Sequence, residues 1–243
     1  MYKKYGNKFM CFSPPVMLAT FFIEFAFAFY VIWRYKMTTV TRLVTATLLA
    51  LGTFQLAEYM ICGGLGWTHV EWARLGYAAI ILLPALGLHL VVALAEKKAP
   101  LLIGAAYASC VAFIAFFTLA GGAINGEECR ANYAVFDTHN ASVIPFALYY
   151  YGWMLTGTLL AWKWSGKASK KAEALQWMSI GYLLFILPTT TVNIVDPSTI
   201  AGIPSIMCGF AVLLAFALVI KVMPNSQVAE RRSLHSVKQL FRI

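Results

Sequence analysis

Charge is what this 243-residue chain has least of: Asp, Glu, Lys and Arg make up 12% of it, about half the share of an average soluble domain. Hydrophobic residues reach 60%, more apolar mass than a soluble globule can hide. A disordered chain, which needs low hydrophobicity and high net charge, is excluded. Five cysteines in 243 residues are too few for a disulfide scaffold. No apolar alternation of period two runs through the hydrophobic stretches, which argues against a β-barrel. The net charge of +9 carries no nucleic-acid-binding pattern. It fits the habit of membrane proteins to collect basic residues in cytoplasmic loops.

What is present is a series of apolar stretches, each long enough to cross a bilayer as a helix. Seven are legible: residues 15–33, 43–62, 75–95, 101–120, 143–162, 174–191 and 204–222. Between them lie short polar connections, such as Gly63-Gly64-Leu65-Gly66, Glu96-Lys97-Lys98-Ala99-Pro100 and Asp196-Pro197-Ser198. The longest, from residue 121 to 142, has room for a short hairpin or helix. There is no internal repeat. The fold class is therefore all-α, a polytopic integral membrane bundle of seven transmembrane helices over residues 1–223. A basic amphipathic tail follows over residues 224–243.

Orientation follows from the loop cations. Arg34, Lys36, Arg42, Lys97, Lys98, Lys163, Lys167, Lys170 and Lys171 fall in the connections after helices one, three and five. The C-terminal segment adds Lys221, Arg231, Arg232, Lys238 and Arg242, whereas the opposite connections hold only Arg74 and Arg130. The richer side is the cytoplasm, which places the C-terminus inside and the N-terminus outside, in the plasma (cytoplasmic) membrane. Lys3, Lys4 and Lys8 run against this rule. Either the natural start is Met10 rather than Met1, or the later loops outweigh the N-terminus. A cleaved signal peptide ending at Ala26-Phe27-Ala28 is a third option; Glu24 and the apolar run beyond it favour an uncleaved first helix. Trp33, Trp162, Trp164 and Trp177 mark inner ends and Trp67 and Trp72 an outer one, where aromatic rings prefer the headgroup level. Trp153 alone lies well inside a span.

Ionisable residues inside a bilayer cost about 2.5–3.5 kcal/mol each on insertion scales, so each needs a reason. Glu24 sits near the middle of helix one. In helix two, Gln55, Glu58 and Cys62 share one face at spacings of three and four. His89 lies in the inner half of helix three, after Pro84, a residue that can kink the helix and free a carbonyl. The expectation is a polar pocket between helices one, two and three. Gln55 and Glu58 form its outer wall, with Glu24 and His89 deeper. Such a site can bind a cationic or hydrogen-bonding ligand, or pass a proton. The plainer alternative is that Glu24 and His89 only hydrogen-bond neighbouring helices.

The other polar groups point to structure. A Cys62–Cys129 disulfide on the oxidising outer side is expected, with Cys11 as rival partner; Cys110 and Cys208 read as small buried apolar residues. His69, His139, Cys62 and Cys129 fit no standard metal spacing, so no metal site is expected. Asn140-Ala141-Ser142 is a glycosylation triplet on the outer side. Gly104, Ala108 and Ala112 form a narrow face suited to a homodimer or to internal helix packing, the latter being the plainer reading. In the tail, Leu234, Val237, Leu240 and Phe241 share a face opposite basic residues, which suits a helix lying on anionic inner-leaflet lipids.

Known intramembrane chemistries lack their residues here. Helix seven has no lysine at mid-depth to hold a retinal, and only His89 lies inside the bilayer, too few for haem or zinc. There is no Gly-x-Ser nucleophile with a histidine base and no phosphate-cradling glycine loop. No cofactor is expected, and an enzyme is disfavoured.

Met10-Cys11-Phe12-Ser13-Pro14 leads directly into helix one and resembles the opening of a group of uncharacterised bacterial multi-pass membrane proteins. Members begin Met-Cys-Phe-Ser and carry Gln-x-x-Glu in the second helix, here Gln55-Leu56-Ala57-Glu58. The resemblance covers the first quarter of the chain, implies Met10 as the start, and brings no activity with it. The expected function is a non-enzymatic membrane protein, either a small-ligand sensor or an accessory subunit of a membrane complex. The rival is a proton-coupled small-molecule transporter using Glu24, Glu58 and His89. A membrane enzyme of unfamiliar chemistry comes third.

Overall fold

The computed structural model describes residues 14–63, 69–129, 134–138, 140–166 and 169–226. Lys3, Lys4, Lys8, Met10, Cys11, His139 and the amphipathic tail from residue 227 onward lie outside the described residues, as do the side chains of His69, Cys129 and Asn140. Seven helices are long and apolar enough to cross a membrane: α1 (Pro14–Arg34), α2 (Thr39–Cys62), α3 (Val70–Leu94), α4 (Pro100–Leu119), α5 (Ala141–Trp164), α6 (Lys170–Val195) and α7 (Ile203–Asn225). The long connection between α4 and α5 holds an antiparallel hairpin, β1 (Ile124–Cys129) and β2 (Ala134–Thr138), with a bulge between Ile124 and Gly126.

Local chemistry sets the helix ends. Thr38 precedes α2 and its hydroxyl accepts the Thr41 N–H at 3.4 Å; Ser169 does the same for Ala172 before α6, at 3.1 Å. Pro100 opens α4 and Pro204 opens α7, where a missing N–H costs nothing. At the end of α3, Glu96 takes a left-handed φ of 53°. Its N–H reaches Ala93 and that of Lys97 reaches Val92, closing the last turn. α7 widens to a π turn over Leu218–Val222, directly before Pro224, which cannot donate to the preceding turn.

α2, α3 and α7 form the centre of the bundle, and α1, α4, α5 and α6 surround it: the α3 span is 78% buried, the α4 span only 17%. The outer ring turns its large apolar side chains outward, including Phe22, Phe29, Leu101, Leu148, Leu159 and Leu187. In a membrane these meet lipid. The expected Gly104–Ala108–Ala112 face belongs to this outer surface: all three residues are exposed, and nothing lies within 4 Å of a side chain built at Gly104. The plainer reading, internal packing, is therefore corrected. α4 meets α3 through the opposite face, which carries the buried Ala106, Cys110 and Phe117.

Pro84 sits inside α3, and the neighbouring carbonyl of Ile81 is drawn into tertiary bonding. It accepts the Tyr149 hydroxyl of α5 at 2.6 Å and the Cys110 thiol of α4 at 3.6 Å. The Trp153 indole N–H, deep in α5, donates to Ser109 of α4 at 3.0 Å, as a buried indole requires. At the end of the bundle bearing the basic connections, Lys171 pairs with Glu96 at 3.2 Å and Lys221 lies 5.0 Å from the Trp177 ring centroid.

Candidate functional site

α1 buries a single stripe, Met17, Thr20, Glu24, Ala28 and Val31, at spacings of three and four. That stripe faces the bundle, so the helical period itself turns Glu24 inward and away from lipid. Glu24 is fully buried. α1 can approach α2 closely because position 52 is glycine: a Cβ there would come within 2.5 Å of the Phe25 ring and 3.6 Å of the Glu24 Cβ. α2 presents Gln55 and Glu58, 2% and 1% exposed, on the same side as the buried Phe54 and Ile61.

The third wall is α7. The Ser205 hydroxyl hydrogen-bonds with the Glu58 carboxyl, and Cys208, one turn further on, lies within electrostatic range of both Glu58 and Glu24. Glu24 lies within electrostatic range of Glu58. Among the described residues, both carboxyl oxygens of Glu24, one of Glu58 and the Gln55 amide nitrogen have no hydrogen-bond partner. The cluster thus offers acceptor oxygens with few donors of its own. Chemically, it suits a proton, an ammonium group or another small cation.

His89 is elsewhere. Half-buried in the C-terminal half of α3, its Nδ1 lies 3.2 Å from the Tyr107 hydroxyl of α4, with the two rings edge to face. The structure therefore brings Glu24, Gln55 and Glu58 to one side of the central helices and places His89 at the α3–α4 contact. Ser205 goes unrecognised in the sequence, and Cys208 reads there only as a small buried apolar residue, which it is. Their signal is a pair of small polar residues at i and i+3 in the first turns of an otherwise aliphatic helix.

Cys62 is disulfide-bonded, and Cys110 and Cys208 are free and buried. Among the described residues no group of three or more His, Cys, Asp or Glu side chains is placed to hold a metal ion. No protein-family model, curated protein or solved structure matches this chain.

Proposed function

We propose that the chain is a non-enzymatic multi-pass protein of the plasma membrane, N-terminus outside and C-terminus inside, in which the Glu24–Glu58 pair binds a small ligand. This makes it a sensor, or a ligand-responsive accessory subunit of a larger membrane complex. One observation carries the reading: two carboxyls from different helices are buried within electrostatic range of each other inside an apolar bundle, with most of their oxygens unpartnered. Such groups are expensive to keep in a membrane, and a purely structural role would supply donors for them. The orientation is supported by the basic connections and by the disulfide at Cys62, at the opposite end of α2. The tail over residues 224–243 would rest on anionic inner-leaflet lipids.

The test is native mass spectrometry of protein extracted directly into lipid nanodiscs. A small molecule bound to the wild type and absent from a folded Glu58→Gln variant supports the sensor; an unchanged complement of bound molecules in that variant refutes it. A stoichiometric protein partner in the same spectrum identifies the subunit role. The depth of the carboxyl pair also favours a second reading, a proton-coupled transporter. It predicts substrate movement in proteoliposomes that follows an imposed pH gradient and is lost in Glu58→Gln.

A further inference from the structure

At the centre of the bundle, side chains from α2, α3, α5, α6 and α7 enclose a cavity of about 20 Å³. Its wall holds Met154 from α5, Met178 from α6, and Met207 and Cys208 from α7. Each of the four is 2% exposed or less. Of the nine methionines in the chain, three converge on this one space. Tyr182, 3% exposed, lines it as well, and its hydroxyl has no hydrogen-bond partner among the described residues. Gly87, against which that hydroxyl lies, is part of the same wall.

Methionine commonly fills irregular gaps in a core. Here the gap stays open. Its volume admits one water or one bare ion and excludes an organic ligand. A buried water needs two to four polar partners; besides the hydroxyl-bearing Thr47, Tyr150 and Tyr182, the polar atoms of this wall are sulfurs, which are weak partners. Thioether and thiolate sulfurs are instead the donors that select Cu(I) over harder cations. We propose that this cavity is a binding site for a soft monovalent cation, Cu(I), held by the thioethers of Met154, Met178 and Met207 and the sulfur of Cys208. One Cu(I) binds as the Cys208 thiol proton is released to bulk water, so the net charge of the dry cavity is unchanged and no buried charge is added. The inference stands on the sulfur set and is independent of the role proposed for the carboxyl pair.

The experiment titrates the full chain in nanodiscs with Cu(I), kept reduced by ascorbate so that the Cys62 disulfide stays intact, against a chromophoric Cu(I) chelator. Ag(I) serves as a second probe that needs no reductant. The expected result is one Cu(I) per chain, an X-ray absorption spectrum with sulfur neighbours only, and at least tenfold weaker binding in Met178→Leu and in Met207→Leu. These swaps conserve volume and keep the fold. Cys110→Ser, at a free thiol that does not line this cavity, should bind as the wild type does. Failure of the folded wild type to retain Cu(I) overturns the proposal. So does undiminished binding in either methionine variant, or a shell of nitrogen and oxygen.

Discussion

The Tyr182 hydroxyl occupies the space in which a side chain at Gly87 would begin. α6 thus drives an aromatic ring between α3 and α5, with Gly157 on the far side also leaving room for the ring. Replacing Gly87 by Ala should therefore lower stability by about 1–3 kcal/mol, the usual cost of overpacking a core. Tyr182→Phe removes the overlapping atom, and the double variant should recover most of the loss. Thermal unfolding of the single and double variants in detergent measures the coupling; an additive loss would show that the two positions do not meet.

Glu24 sets a second expectation. Its carboxyl is fully buried without a hydrogen-bond partner among the described residues. Replacement by Met, an apolar chain of similar length, should leave the melting temperature unchanged or raised, because an unsatisfied buried polar group is lost. Ligand binding should be lost in the same variant. A marked fall in melting temperature would make Glu24 a structural residue and remove it from the site.

Ser205 supplies the donor to Glu58. Ser205→Ala should cost about 1–3 kcal/mol by leaving a buried acceptor unpaired, and Glu58→Gln should be milder. Urea unfolding monitored by tryptophan fluorescence checks the order; equal stability of Ser205→Ala and wild type would contradict it.

Cys62 is expected to pair with Cys129, because β1, which ends at Cys129, packs against α2 and α3. Peptide mapping without reductant should recover the Cys62–Cys129 crosslink, and Cys129→Ser should destabilise the protein by about 2–4 kcal/mol. Recovery of a Cys11 crosslink would reassign the bridge and leave the hairpin untethered.

The spans were legible because hydrophobic length is a one-dimensional property. The stretch read as 101–120 is the helix Pro100–Leu119, with its proline at the start. What the sequence does not encode locally is which helices touch. Glu24 and Glu58 invited a pocket closed by helix three, the next in the chain; the partner is Ser205, on the last helix, which packs against α1 and α2. His89 follows the plainer of its two readings, a hydrogen bond to a neighbouring helix. Its depth was readable, but the direction in which it faces is set by the packing of α4, which brings Tyr107 to it. The stripe of Gly104, Ala108 and Ala112 shows the converse: small residues permit a close approach without saying that one occurs within the chain. The hairpin between α4 and α5 lacked a strong turn signal and could only be read as hairpin or helix.

Everything proposed for the site depends on seven helices crossing the membrane with their basic connections on the cytoplasmic side. The most direct test is a single cysteine at position 167, in a background lacking the native ones, probed in intact cells with a membrane-impermeant maleimide. The account predicts no labelling until the membrane is opened, and full labelling afterwards. Labelling of intact cells would place the α5–α6 connection outside and contradict it.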